Sequence, residues 1–233
     1  MTNILFICHG NICRSPMAEF MTKDMARRAG IADEFYIESA ATSSEELGNP
    51  VYPPARRKLA ENGIDCSGKR ARRITKDDLA RFDLILGMDE ENTRYLRRMA
   101  SVEQQDKLHN LLEYAGRGGD AIADPWYTGD FDATWDDLYE GCMGLLNALH
   151  PEVTLDFSAC TEREDFYTEM GAKMLWQKSC GHNLDALHDV LTGLPHLGTR
   201  FLVKPPEAAN SPAARYADRI VEVMQDAGCE VEI

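Results

Sequence analysis

The sequence predicts an α/β protein in two parts: a mainly parallel sheet flanked by helices, then a smaller α/β unit. Three observations carry this reading. Short apolar runs rich in strand formers alternate with amphipathic helical segments over residues 1–150, the order of right-handed βαβ units. That order breaks at His150-Pro151, after which strand, helix, helix, strand, helix and strand follow. The 233 residues exceed one typical domain, and 44% hydrophobic with 27% charged residues is an ordinary globular composition. The expected domains are 1–150 and 151–233.

Taken in order, Asn3 to Cys8 is a strand ending in a loop, and Pro16 to Arg28 is a helix. Phe35 to Ala40 is a second strand, and Val51 to Asn62 a helix closed by Gly63. Asp83 to Met88 is a third strand, followed by a charged helix to Met99. Ala121 to Ala123 supplies a short fourth strand. Phe131 to His150 is a long helix with Trp135, Leu138, Cys142, Leu145 and Leu149 at helical spacing. In the second part Val153–Phe157, Arg200–Lys204 and Cys229–Ile233 read as strands. Thr161–Trp176, Asn183–Thr192 and Ala213–Ala227 read as helices.

Net charge is −14, shared as −7 by each part. A field of that sign repels nucleic acid and anionic lipid and attracts a basic partner. No apolar run approaches the ~20 residues that span a bilayer, and the amino-terminal run is too short for a signal peptide, so a cytoplasmic location is expected. Seven cysteines without paired CxxC motifs are expected to be reduced, mostly buried thiols rather than a zinc site.

One segment carries chemistry. Cys8-His9-Gly10-Asn11-Ile12-Cys13-Arg14-Ser15 places a cysteine, five residues and an arginine between a strand and a helix start. Backbone N–H groups of such a loop converge on an anion, and the helix adds its positive end. Gly10 and Asn11 tolerate the backbone angles this requires. Arg14 offers a planar fork to two phosphate oxygens. Cys8 is then placed to attack phosphorus as a thiolate, with Ser15 as hydrogen-bond donor. The leaving oxygen needs a proton and the phosphocysteine needs a base for water; a carboxyl group does both in turn. Asp124, stiffened by Pro125, is the best candidate, and Trp126 and Tyr127 would wall an aromatic pocket.

The first ~150 residues resemble the low-molecular-weight protein-tyrosine phosphatases. The resemblance rests on Cys8 through Glu19, Ser39-Ala40-Ala41-Thr42-Ser43, Gly48-Asn49-Pro50, Ala71 through Thr75, Met88-Asp89 and Asp124-Pro125-Trp126-Tyr127. It implies a four-stranded parallel sheet flanked by helices, no metal, no cofactor and a phosphocysteine intermediate. It places the nucleophile at Cys8, the phosphate clamp at Arg14, the thiolate partner at Ser15 and the acid/base at Asp124, with Asn11 and Ser39 bracing the loop. Cys13 matches a second loop cysteine that traps oxidised Cys8 as a disulfide. Ile12 fits the phosphotyrosine branch better than the phosphoarginine branch, and the mid-domain cysteine pair of arsenate reductases is missing. Glu45 falls on the pocket wall where many members carry an aromatic residue, and Lys69 falls where a loop-supporting histidine is frequent. The substrate implied is a phosphotyrosine protein or a small aryl phosphate.

In the second part, Asn183 can cap a helix in which Leu184, Leu187 and Leu191 form the buried stripe. Asp185 and Asp189 share one of its faces. Gly181, Asn183 through Leu187, Asp189 through Gly193 and Gly228-Cys229 resemble barstar, an intracellular inhibitor of a secreted ribonuclease. The resemblance implies a three-stranded parallel sheet and makes Asp185, His188 and Asp189 the partner-binding residues, with a basic ribonuclease as the partner; a fold retained for another basic partner, or for docking on the phosphatase part, is the alternative. A reading from another class remains: an interaction protein whose loop binds anions without turnover while the tail binds a ribonuclease.

Overall fold

The sheet of the first part is organised around β1 (Thr2–Cys8). Its Ile4, Leu5, Phe6 and Ile7 are fully buried, as a continuous apolar run must be when helices cover both faces of a sheet. The strands run in the order β2-β1-β3-β4, all parallel, with β2 at Phe35–Ala41, β3 at Leu84–Gly87 and β4 at Leu108–Asn110. Cys8 is paired with Ala41, Ile7 with Gly87, and Gly87 with Asn110, so the carboxyl ends of the strands gather along one edge. In open parallel sheets that edge is where ligands bind.

A computed structural model describes residues 1–174, 181–193 and 199–233. By contacts the chain divides into two units, one of residues 1–27 and 31–145 and one of residues 28–30 and 146–233, and each is treated by itself below. Among the described residues, no helix is long and apolar enough to cross a membrane.

Helices α1 (Arg14–Ala29), α2 (Pro53–Glu61), α3 (Lys76–Arg81), α4 (Glu90–Met99), α5 (Pro125–Thr128) and α6 (Phe131–Leu149) connect or follow these strands. α1 starts at Arg14, two residues before the expected Pro16, because a proline in the first helical turn lacks only an N–H that has no intrahelical partner there. α3 was not expected from the sequence. Its start is fixed by a capping box in which Thr75 accepts from the Asp78 amide and Asp78 accepts from Thr75. The fourth strand is a correction. It is Leu108–Asn110, not Ala121–Ala123, since the free side of β3 is already taken by β4. The 121–123 segment instead crosses the strand ends, where the Ile122 amide donates to the Met88 carbonyl at 2.8 Å.

The second unit has a three-stranded parallel sheet, β5-β6-β7, at Glu152–Asp156, Arg200–Lys204 and Glu230–Glu232. Helices α7 (Arg163–Lys173), α8 (Leu184–Gly193) and α9 (Pro212–Asp226) accompany it. Leu155, Phe157, Phe166, Leu187, Leu191 and Phe201 belong to its buried core. The expected continuation of α7 to Trp176 lies outside the described residues, as does Cys180. The six described cysteines are free and buried.

α6 approaches the turn at Leu111–Ala115 closely: a Cβ on Gly144 would stand 2.1 Å from the Tyr114 carbonyl oxygen and 2.7 Å from its carbon. Backbone cannot yield as a flexible side chain does. Gly144→Ala, which gains about 1 kcal/mol of helix propensity in an open site, is therefore expected to destabilise by about 3 kcal/mol or more here, read as a lowered Tm.

Candidate active site

The loop after β1 wraps the Cys8 sulfur. The Asn11 amide donates to Cys8 Sγ at 3.3 Å, and Ser15 Oγ lies 3.1 Å from it. Asn11 sits at φ 58°, in the left-handed region that asparagine tolerates better than most residues. Its side chain fixes the network beneath the loop. Nδ2 donates to Ser15 Oγ at 2.9 Å and to Ser39 Oγ at 2.7 Å, while Oδ1 accepts from the Arg72 amide at 3.1 Å. Both amide hydrogens are thereby used. Ser39 commits its single proton to Glu19 Oε2 at 2.6 Å. Ser15, an acceptor from Asn11, has its own proton to direct either to the sulfur at 3.1 Å or to the Ala40 carbonyl at 3.5 Å.

Glu19 is buried and would be costly without partners. Lys69 Nζ reaches it at 2.5 Å and also donates to the Ser39 carbonyl at 3.1 Å, while Lys23 reaches its other oxygen at 2.6 Å. Lys69 thus completes the support under the loop with a cation.

Arg14 opens α1 with its side chain only 5% exposed. Nη1 donates to Asp89 Oδ2 at 2.8 Å and Nη2 to Asp124 Oδ2 at 2.5 Å. Burial works against its charge, but Cys8, Asp124 and Asp89 outweigh that and raise its pKa. Asp89 is a site residue to which the sequence reading gave no role. Its available signal was position: it follows β3 and caps α4, accepting from the Asn92 amide at 2.8 Å. Asp124 likewise caps α5, with Oδ1 accepting from the Trp126 amide at 3.1 Å.

A cleft of about 150 Å³ opens onto Cys8 and Arg14, walled by Trp126 and Tyr127 and, opposite in kind, by Glu45 and Glu46. Trp126 and Tyr127 are largely exposed. Tyr52, also absent from the sequence reading, packs its ring 5.4 Å from that of Trp126. Glu45 pairs with His9 Nε2 at 3.2 Å at the surface. Gly10, Ile12 and Cys13 line the same cleft. The Cys13 thiol is pushed up to about 12 by burial first, then by Cys8 and Asp124, which keeps it protonated beside Cys8. Among the described residues no group of three or more His, Cys, Asp or Glu is arranged to hold a metal.

The predicted tail residues occupy one exposed face of α8: Asp185, His188 and Asp189 point away from the buried Leu187 and Leu191. Asn183 caps this helix, accepting from the Ala186 amide at 2.9 Å.

A parallel α/β sheet that ends in a cysteine-containing anion loop, with an arginine and a carboxylate at its mouth, defines a cysteine-dependent phosphate-ester hydrolase. The family model described as low molecular weight phosphotyrosine protein phosphatase matches residues 3–155, and that of barstar (barnase inhibitor) matches residues 150–232. The chain belongs to the low molecular weight phosphotyrosine protein phosphatase family. The low molecular weight protein-tyrosine-phosphatase YfkJ of Bacillus subtilis is 36% identical over 66% of this chain and 100% of its own length. The low molecular weight phosphotyrosine protein phosphatase of Homo sapiens is 38% identical over 63% of this chain and 92% of its own. The crystal structure of YfkJ matches with a TM-score of 0.62 at 36% identity, covering 64% of this chain and 95% of that one.

Replacing Asn11 by Ala removes three hydrogen bonds and leaves a Cβ-bearing residue at positive φ. Asn11→Ala is expected to lower stability by about 2 kcal/mol and to raise the inhibition constant of inorganic phosphate about tenfold; urea unfolding and competition with p-nitrophenyl phosphate measure the two.

Proposed function

We propose that the amino-terminal part, with its boundary at His150-Pro151, hydrolyses phosphotyrosine in proteins and small aryl phosphates through a phosphocysteine on Cys8. The observation that carries this is the convergence of Cys8, Arg14 and Asp124 on one cleft. The Cys8 sulfur attacks phosphorus in line. The bond from phosphorus to the tyrosine oxygen breaks, and that oxygen takes a proton from the Asp124 carboxyl. The loop of residues 9–15 and Arg14 hold the remaining phosphate oxygens. When a phosphate oxygen takes Arg14 Nη2, Asp124 Oδ2 loses its partner in the empty site and is freed to face the leaving oxygen. In the second step Asp124 accepts a proton from water, the water oxygen attacks phosphorus, and the sulfur–phosphorus bond breaks to release phosphate. Ser15 serves the sulfur as donor, and Asn11 and Ser39 hold Ser15 in place. Trp126, Tyr127 and Glu45 contact the substrate beyond its phosphate.

Two further roles belong to this reading. Cys13 would condense with a Cys8 sulfenic acid formed by peroxide, giving a disulfide and water and sparing Cys8 from irreversible oxidation. The tail would bind a basic protein through Asp185, His188 and Asp189, the family match pointing to a ribonuclease of the barnase type. The site of action is the cytoplasm.

Cys8→Ser is expected to abolish hydrolysis of p-nitrophenyl phosphate, and Asp124→Ala to lower it by about 10²–10⁴; wild-type rates in either variant would remove these assignments. For the tail, the full chain is expected to inhibit a barnase-type ribonuclease, and Asp185→Ala with Asp189→Ala to weaken that inhibition about a hundredfold. Loss-free inhibition by the double variant, read by RNA cleavage, would exclude that face.

A further inference from the structure

The proposed acid, Asp124, is followed by a proline and precedes a helix of four residues, so its placement depends on what holds the chain before it. That residue, Ala123, is gripped on both sides by α6. Its amide donates to Asp137 Oδ2 at 3.0 Å, and its carbonyl accepts from Thr134 Oγ1 at 2.8 Å, the nearer of the two carbonyls that hydroxyl faces, that of Asp130 lying at 3.0 Å. The amide belongs to the peptide plane before the Ala123 Cα and the carbonyl to the plane after it, so both planes flanking that atom are tethered. The second plane carries the Asp124 nitrogen. Thr134 and Asp137 stand three residues apart, hence on one helical face.

The tether is itself braced. Thr134 is fully buried. Asp137 has both oxygens engaged, Oδ1 accepting from Arg117 Nη1 at 2.9 Å. The same nitrogen donates to Glu140 Oε2 at 2.8 Å, and Arg117 Nε donates to Asp120 Oδ2 at 2.9 Å. Three carboxylates, Glu140, Asp120 and Asp137, raise the Arg117 pKa, so its guanidinium stays protonated.

We infer that Thr134 and Asp137, with Arg117 behind them, are positioning residues that set where Asp124 delivers its proton. This rests on the reading of Asp124 as general acid. The clamp's own hydrogen bonds do not reach Cys8 or Arg14; the one link is the Ile122 carbonyl, in the plane that Asp137 tethers, which accepts from Arg14 Nη1 at 3.4 Å. Loss of the Thr134 tether, which holds the other plane, would therefore spare attack by sulfur and weaken protonation of the leaving oxygen. That defect has a signature. An ester with a good leaving group, p-nitrophenyl phosphate, needs the proton less than phenyl phosphate, whose phenol is far more basic. A defect of folding or of the phosphate loop lowers both alike.

The experiment is kcat/KM for the two esters, since that constant covers the steps through cysteine phosphorylation. Thr134→Val keeps the shape of the side chain and removes the donor, whereas Thr134→Ser keeps the donor. For Thr134→Val the ratio of p-nitrophenyl phosphate to phenyl phosphate is expected to rise roughly fivefold or more, and for Thr134→Ser to stay at the wild-type value. Thr134→Ala, which also removes the donor, serves should Thr134→Val not fold; Asp137→Asn, which offers one acceptor oxygen to two donors, is expected to raise the ratio too, on top of a fall in both rates through the Ile122 carbonyl that holds Arg14. An equal fall on both esters, or no change in either, in the folded variants would overturn the inference. Asp124→Ala sets the reference: a raised ratio there with none in the clamp variants sinks the clamp alone. No rise in Asp124→Ala would remove the acid role and the clamp with it.

Discussion

A guanidinium with 5% of its side chain exposed must be neutralised where it lies, and Arg14 is neutralised by carboxylates from two separate segments. Asp89 arrives after β3 and Asp124 from the crossing segment before α5, beside the end of β1 that carries Cys8. They meet only because the parallel strands end along one edge. The anion site is therefore a property of the sheet's register as much as of the loop sequence.

Beneath the sulfur the network limits which way the serine protons can point. A serine hydroxyl has one proton, and several acceptors compete for it. For Ser39 the competition is decided by groups farther down: Lys69 and Lys23 hold Glu19 as an acceptor, Glu19 takes the Ser39 proton, and Ser39 can then only accept from Asn11. Asn11 is oriented by the Arg72 amide and gives its second hydrogen to Ser15. Every polar group on this route has a partner, which is the condition under which a buried network stiffens a site instead of weakening it.

The loop around the Cys8 sulfur was legible in the sequence because it is local: Cys8 to Ser15 is one strand–loop–helix junction. Asp124 was legible through its Asp-Pro signal and its aromatic followers. What the sequence hid is long-range. Asp89 meets Arg14 across 75 residues, and Thr134 meets Ala123 across 11. Each of these has an equally good local reading, as a cap or a helix-interior threonine; Lys69 was placed at a loop-supporting position, but its partner Glu19, 50 residues away, was not. The misplaced fourth strand has the same origin. Ala121-Ile122-Ala123 is more apolar than Leu108-His109-Asn110, yet the latter pairs with β3, because pairing depends on which segment reaches the open edge and not on apolarity alone.

The second unit separates stability from surface charge. Leu187 and Leu191 bury one side of α8 and Asn183 caps its start, so the helix does not depend on its polar face. That face carries Asp185 and Asp189 one turn apart, and neither forms an ion pair among the described residues. Like charges at that spacing cost a few tenths of a kcal/mol, a cost that an added cation would turn into attraction. The nearest comparison within the unit is Asp156, whose carboxylate is held below its usual range first by Ser158 and then by Lys204. A helix that keeps its carboxylates outward while a strand of the same unit pairs its own leaves the charge of α8 without an ion-pair partner among the described residues, at no cost to the leucine stripe that holds the helix in place.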